Sequence, residues 1–430
     1  MGGPMNRGRD PQRSGLSYPE RAAAGRDAGP SGDAGFRLAH GRRRAHMSRP
    51  LRLVQIAPYP ILPASAGGKI RIVQLARALC KLGVEVTIVA PYHVTQRRAL
   101  AEREPFRLYQ VPYAPFLLSF FLVDRPFPYG MLVSFHPGYR ALLPISLASF
   151  DVCQVEHPAF VDLVRDLPQS IPVVYGAQNV EFDYVSAESG PGFVRRVAGS
   201  RVRALEERLL ARAAHVFACT DADARRFGEL YGVSQERVSV LPNGVDLAAL
   251  DAVRANGQAM TPAAPARLPR RVIFAGSDVA HNRAAVRAVL KRIAPALERE
   301  VEFVIVGPCA RRFRDESGPN VCLDPDGDVA RYAGTGAVGI NPVVAGSGSS
   351  MKLLQYLACD LPVVSTPFGL RGFQAFAPWV VTAELDDFPG VLRQPLPAPG
   401  GRVREQLTGY EWSAVAAKAL DVYERLARRA

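Results

Sequence analysis

The stretch GSGSSMKLLQYLACDLPVVST, residues 346–366, constrains this chain more than any other part of it. It reads in order as a turn of glycine and serine, an apolar helix, a tight connector and a short strand. Met351, Leu353, Leu354 and Leu357 recur at helical spacing, so a helix is predicted to open where the small residues end. A short buried strand directly after such a helix belongs in a parallel sheet covered on both faces. The turn Gly346-Ser347-Gly348-Ser349-Ser350 carries no bulky side chain, which leaves the N–H groups of the helix start open to an anion. Lys352 stands in the first turn, where the helix dipole disfavours a cation unless an anionic partner offsets it. The same residues also read simply as a capped helix on a sheet.

A chain of 430 residues, 48% of them hydrophobic, is long enough for two or three domains. The earlier half shows the alternation that the 346–366 stretch implies. Leu51–Ala57 is a buried-strand run, a loop follows through Pro58, Pro60, Pro63 and Gly67-Gly68, a helix is predicted from Lys69 to about Leu82, and Val84–Ala90 is a second strand. Further strands are predicted at Val152–Val155, Val173–Tyr175 and His215–Cys219, with a long amphipathic helix over Phe193–Ala214. The arginines of that helix (195, 196, 201, 203, 208 and 212) read as a solvated face or as a binding surface.

Residues 251–270, rich in Ala, Pro and Arg, mark a boundary. The pattern then restarts with strand Arg271–Ala275, a helix over about 284–298, strand Val301–Val306, a strand or turn near Val321, a short helix before Ala333 and strand Ala337–Asn341. The last segment, about Val403 to Arg429, is predicted to be helical with Trp412 as its large anchor. The expected organisation is a disordered basic tail (1–49), a first Rossmann-like domain (50–248), a linker (249–270), a second such domain (271–400) and a C-terminal helix (401–430) that returns to the first.

The formal charge is +13; ten arginines against four acids put +6 of it in residues 1–50 and leave +7 for the remainder. Such a balance suits an acidic partner such as nucleotide phosphates or anionic lipid. The arginines are not interleaved with aromatics, which argues against nucleic acid. Six dispersed cysteines without a CxxC pair suggest neither a disulfide framework nor a zinc site and fit a reducing cytoplasm. The apolar run Phe116–Val123 is far shorter than the roughly 20 residues of a membrane span, although the wider Pro115–Val123 suits peripheral contact or a core. The tail lacks the apolar stretch of a secretory signal, and Met47 offers an alternative start. Gly67-Gly68-Lys69 is not a P-loop, and no GxGxxG stands in the loop between the first strand and its helix, which removes the usual grounds for a nicotinamide cofactor there.

Several short motifs then fall into one order: Ala66-Gly67-Gly68 after the first strand, Phe150 to Glu156, Gln178-Asn-Val-Glu181, Val240 to Asp246 with its Pro242-Asn243-Gly244, Phe274-Ala-Gly276 with Asn282, and the 346–366 stretch. In this order and spacing the chain resembles glycosyltransferase family 4, a group 1 family of GT-B fold, from about Leu51 to the C-terminus. The resemblance implies two Rossmann-like parallel-sheet domains facing across a cleft. It implies a retaining transfer of a sugar from a nucleotide-sugar donor to a glycan, polysaccharide or lipid-linked acceptor at the inner face of a membrane, with no cofactor and no obligatory metal. Gly67 and Gly68, and on the other side Gly348, Ser349 and Ser350, would cradle the donor diphosphate, with Lys352 as its charge partner. Gln355 would face the ribose, and Asn282 and the Asn243-Gly244 turn would stand on the donor side, although that turn is also a plain turn with Asp246 as a helix cap. Glu156 and His157, at the carboxyl end of the strand 152–155, would lie near the reacting sugar, and either could fill that role.

The chain departs from the family at several positions. Gln355 stands where a Glu is usual, losing a charge-assisted bond of about 1–3 kcal/mol. Gln178 stands for a His, Arg371 for a Glu, and only Arg283 follows the Gly276–Asn282 segment where many members place a basic clamp. These departures keep open a sugar-nucleotide epimerase type of enzyme, using Glu156 and Glu181, and a non-catalytic sugar-nucleotide-binding homologue. A phosphorylase would need a pyridoxal lysine.

Overall fold

The computed structural model describes residues 49–91, 102–111, 143, 145–187, 192–255, 270–334, 336–346 and 348–429. The basic tail, the apolar run 116–123, Ser347 and most of the linker (256–269) lie outside the described residues.

The first domain is built on seven strands: β1 (Arg52–Ile56), β2 (Glu85–Pro91), β3 (Arg107–Val111), β4 (Val152–Val155), β5 (Val173–Gly176), β6 (His215–Ala218) and β7 (Val238–Val240). They lie in the order β3-β2-β1-β4-β5-β6-β7, and every pairing is parallel. Strands β4 and β5 are buried along their whole length, which is why they read as unbroken apolar runs. Strands β3 and β7 close the two edges and escape the sequence reading. The first interleaves polar residues on a half-exposed edge, and the second has three residues, too few for a period.

Helix α1 (Gly67–Lys81) starts two residues before its expected position, directly on the glycine pair. Helices α2 (Glu181–Ala187), α3 (Gly192–Arg212) and α4 (Asp221–Tyr231) follow β5 and β6. One face of the sheet is covered by Leu205, Leu209 and Phe227 of α3 and α4, the other by Ile72, Leu75 and Leu79 of α1. Helix α5 (Leu247–Ala255) occupies the start of what reads as a linker.

The second domain holds β8 (Arg270–Ala275), β9 (Val301–Val306), β10 (Val321–Asp324), β11 (Ala337–Asn341), β12 (Val363–Ser365) and β13 (Val380–Thr382), in the parallel order β10-β9-β8-β11-β12-β13. The helix expected over 284–298 is instead α6 (Ala280–Ala288), a π turn at Val289–Ile293 and a 3-10 turn at Pro295–Leu297. Pro295 brings no N–H to a regular ladder, and the winding widens so that Ala294 N–H reaches Val289 O at 2.8 Å. Helix α7 (Met351–Ala358) opens after Ser350, as its apolar spacing requires.

The C-terminal segment is two helices rather than one. Helix α8 (Gly401–Thr408) buries Val403 and Leu407 in the second domain, whereas α9 (Trp412–Ala427) buries Val415, Ala419 and Tyr423 beside α1 in the first. The chain therefore crosses between domains twice, near 241–246 and near 408–412. The crossings are tied to each other: Val245 N–H donates to Tyr410 O at 2.8 Å, and Trp412 N–H to Val245 O at 3.3 Å.

In each sheet the strand order reverses its direction of growth at one place, between β1 and β4 and between β8 and β11. Those switch points open the crevices in which ligands of open α/β sheets bind.

Candidate active site between the two switch points

On the second-domain side, Tyr356 fixes α7. Its ring is fully buried against Gly339 of β11, where a Cβ would come within 2.5 Å of it, and its hydroxyl accepts the Ala275 N–H at 2.8 Å. Lys352 lies one helical turn earlier on the same face and is thereby drawn inward. Its Nζ donates to Asn282 Oδ1 at 2.9 Å and stands 4.9 Å from the centre of the Phe274 ring. Asn282 is held in turn by its own Nδ2, which donates to Ser277 O at 3.0 Å. Among the described residues no carboxylate pairs with Lys352, and burial lowers its pKa to about 8. Burial, with the charges of Lys352 and Arg283, lowers His281 to about 4.

The turn before α7 presses on the first domain. Gly348 has φ +65°, and a Cβ there would stand 3.0 Å from Asn179 Oδ1 and 3.2 Å from Gln178 O. Ser349 Oγ accepts from Asn243 Nδ2 at 3.0 Å. Asn243 Oδ1 accepts from Arg71 at 3.1 Å, and the same guanidinium donates to Leu241 O at 2.8 Å. A Cβ on Gly67 would touch Met351 at 3.7 Å. Farther along, Arg371 forms an ion pair with the buried Asp223, which also receives the Thr220 hydroxyl at 2.8 Å. Burial raises the Asp223 pKa, and Arg371 opposes that rise.

On the first-domain side, a Cβ on Gly68 would fall 2.0 Å from the Tyr59 hydroxyl, which donates to Gln178 Oε1 at 2.7 Å. Glu156 is 2% exposed, and its Oε1 accepts from Gln154 at 2.6 Å and Gln55 at 3.1 Å. Burial raises its pKa; the Gln154 amide, the Arg71 charge and the Gln55 amide oppose that rise. His157 Nδ1 accepts the Ala159 N–H at 3.1 Å, which leaves the ring proton on Nε2, 3.4 Å from Glu181 Oε2. Glu181 Oε1 accepts from Asn179 at 3.1 Å.

The structure thus brings Gly67, Asn243, Gly348 and Ser349 together where the two domains touch, with Lys352 and Asn282 buried behind the turn in the second domain and Gly68 beside Tyr59 and Gln178 in the first. Ser350 borders α7 without capping it through its side chain, and Gln355 is half-buried in the next turn. Gly244 lies at the chain crossing, where a Cβ would come within 2.6 Å of the Trp412 indole. Sequence reasoning overlooked Arg71, Tyr59, Asp223 and Glu206. Each reads as an ordinary helix or loop residue; burial singles out Arg71, Asp223 and Glu206, and its contacts with Gln178 and Gly68 single out Tyr59.

Two family models match the sequence in chain order: Glycosyltransferase Family 4 over residues 66–249 and Glycosyl transferases group 1 over 269–377. None of the curated proteins searched matches it. Among solved structures, a glycosyltransferase from Rickettsia africae superimposes with a TM-score of 0.59 at 11% identity, over 89% of this chain and all of that one. WaaG, a glycosyltransferase involved in lipopolysaccharide biosynthesis, gives 0.56 at 17% identity over 86% and 99% of the two chains. Anabaena HepE, solved with UDP and glucose, gives 0.57 at 12% identity over 87% and 99%. With one family model on each domain and two parallel-sheet domains of GT-B architecture, the chain belongs to the group 1 glycosyltransferases.

Proposed function

We propose that this protein transfers a sugar, with retention of anomeric configuration and without an obligatory metal, from a nucleoside diphosphate sugar to a glycan, polysaccharide or lipid-linked acceptor. The observation that carries the reading is Lys352, a buried cation facing an amide and an aromatic ring in the first turn of α7. A buried charge left so weakly paired costs stability unless a ligand anion completes it. In this reading the leaving diphosphate is held by Lys352 and by the N–H groups at the start of α7, beside Gly348 and Ser349. Gln355 faces the ribose. Gly67 and Gly68 let α1 approach from the other side, and His157 and Glu156 border the sugar. HepE, of the same fold, was solved with UDP and glucose, which supports a nucleotide-sugar donor.

No helix among the described residues is long and apolar enough to cross a membrane. For a lipid-linked acceptor the reading therefore requires peripheral contact at the cytoplasmic face, for which the basic balance of the chain is suited. Sedimentation with anionic vesicles at low salt tests that part; a protein left in the supernatant counts against it.

The test of the donor site is a thermal-shift screen with UDP, GDP, ADP and their sugars. Binding raises the midpoint by mass action, by about 2.7 kcal/mol of stability at a hundred times Kd. Lys352→Ala is expected to abolish the shift and to leave the ligand-free midpoint nearly unmoved. A shift that survives in the variant sinks the phosphate assignment. Proton NMR of the transfer product, formed with and without EDTA, tests the rest; an inverted anomer, or turnover that EDTA stops, overturns the corresponding part.

A further inference from the structure

Glu206, in the middle of α3, is fully buried and lies outside every motif considered above. Its carboxylate takes four hydrogen bonds in a symmetrical arrangement. Oε1 accepts the Tyr175 hydroxyl at 2.8 Å and the Glu181 N–H at 3.0 Å. Oε2 accepts the Tyr231 hydroxyl at 2.6 Å and the Phe182 N–H at 3.2 Å. Each oxygen therefore serves one phenol and one backbone N–H. The phenols come from β5 and α4, and the two N–H groups are the first of α2, the helix whose opening residue is Glu181.

We propose that Glu206 is a positioning residue for the reacting side of the cleft: by clamping the first turn of α2 it sets Glu181 against His157 Nε2, and Asn179 against Gly348 of the facing domain. The chain of contacts is continuous. Glu181 meets the His157 ring at 3.4 Å and the Asn179 amide at 3.1 Å. Asn179 Oδ1 and Gln178 O are the atoms that a Cβ on Gly348 would meet, at 3.0 and 3.2 Å. Small displacements of such a support are felt strongly at a reacting centre. The inference rests on the glycosyltransferase reading for its functional half only.

An amide cannot replace this carboxylate. A phenol can turn its O–H and accept instead of donate, but a backbone N–H cannot, so one N–H group of α2 would face the NH2 of a glutamine. Glu206→Gln is accordingly the test, with three readouts. Wild type is expected to show a His157 Nε2 proton held beside Glu181, 3.4 Å away, protected from exchange and visible by 15N NMR. In Glu206→Gln that proton exchanges with water. With UDP-glucose and GDP-mannose as probes, kcat for UDP or GDP release falls about tenfold or more while KM for the donor stays within about twofold.

A plain structural cap would lower Tm and leave both the protected proton and kcat in place; that result overturns the proposal. If Glu206→Gln does not fold, Tyr231→Phe decides. It frees the oxygen that serves Phe182, and faster exchange at His157 is expected; an unchanged rate overturns the proposal. The exchange readout needs no turnover. A wild-type protein that binds and turns over neither donor would remove the functional half while leaving the clamp testable.

Discussion

The two switch points are built on opposite electrostatic principles. In the first domain three buried carboxyl groups are surrounded by donors: Glu156 by the amides of Gln154 and Gln55, Glu206 by two phenols and two N–H groups, Asp223 by Thr220 and by Arg371 of the second domain. In the second domain Lys352 has one amide oxygen and the face of Phe274. Burial disfavours the charged form on both sides, raising Glu156 and Asp223 and lifting Glu206 to about 7, but a carboxyl group whose oxygens are hydrogen-bonded within the protein is part of a scaffold that holds geometry. A cation left short of a partner is where an outside anion gains most. The contrast assigns rigidity to the first domain and anion capture to the second.

The sharpest way to break this comparison is to remove a charge from each side and follow stability. Glu156→Leu leaves the Gln154 and Gln55 amides buried without an acceptor, and a loss of about 3 kcal/mol is expected in urea unfolding. A loss below about 1 kcal/mol would show that the first-domain network is not a scaffold.

The next effect tests the join between the two regions. Arg371→Ala strands Asp223, which is 1% exposed and sits behind the α4 cap. About 2 kcal/mol should be lost, less than for a fully buried pair because Arg371 is 28% exposed. A double-mutant cycle with Asp223→Asn isolates the coupling. Coupling near zero would mean that Arg371 does not fasten the domains.

The smallest effect has the opposite sign. Lys352→Met removes a buried cation without creating a cavity, so the ligand-free protein should gain about 1 kcal/mol at pH 7 while losing nucleotide binding. The pH dependence has a definite direction. The folded pKa of Lys352, about 8, lies below its ordinary 10.5. Below pH 8 the lysine is charged in both states and burial counts fully against the fold. Between pH 8 and 10.5 the unfolded chain binds the proton that the native one has released, so stability rises with pH. The advantage of Lys352→Met should therefore shrink across that window, and wild-type affinity for UDP should weaken above pH 8, as calorimetry at stepped pH would measure. A constant advantage from pH 7 to 10.5 would break the account of Lys352.

Much of this protein is determined locally. Alternating apolar runs and helices, glycines at the strand ends and the turn before α7 follow from periodicity and from backbone needs at single positions, which is why the two parallel sheets are legible in the sequence. The edge strands β3 and β7 are not, because an edge has one covered side and a short element has no period. Nor is the break between α8 and α9, which depends on which domain's core each helix finds. The residues of the crevice divide in the same way. Gly67, Gly68, Gly348 and Lys352 carry their meaning in the local sequence, as small or charged groups at a helix start. Glu206, Asp223 and Arg71 look like the solvated charges of any amphipathic helix. Their roles were decided only by tertiary structure, because a charge becomes a clamp when folding removes its water and supplies donors from distant strands and helices.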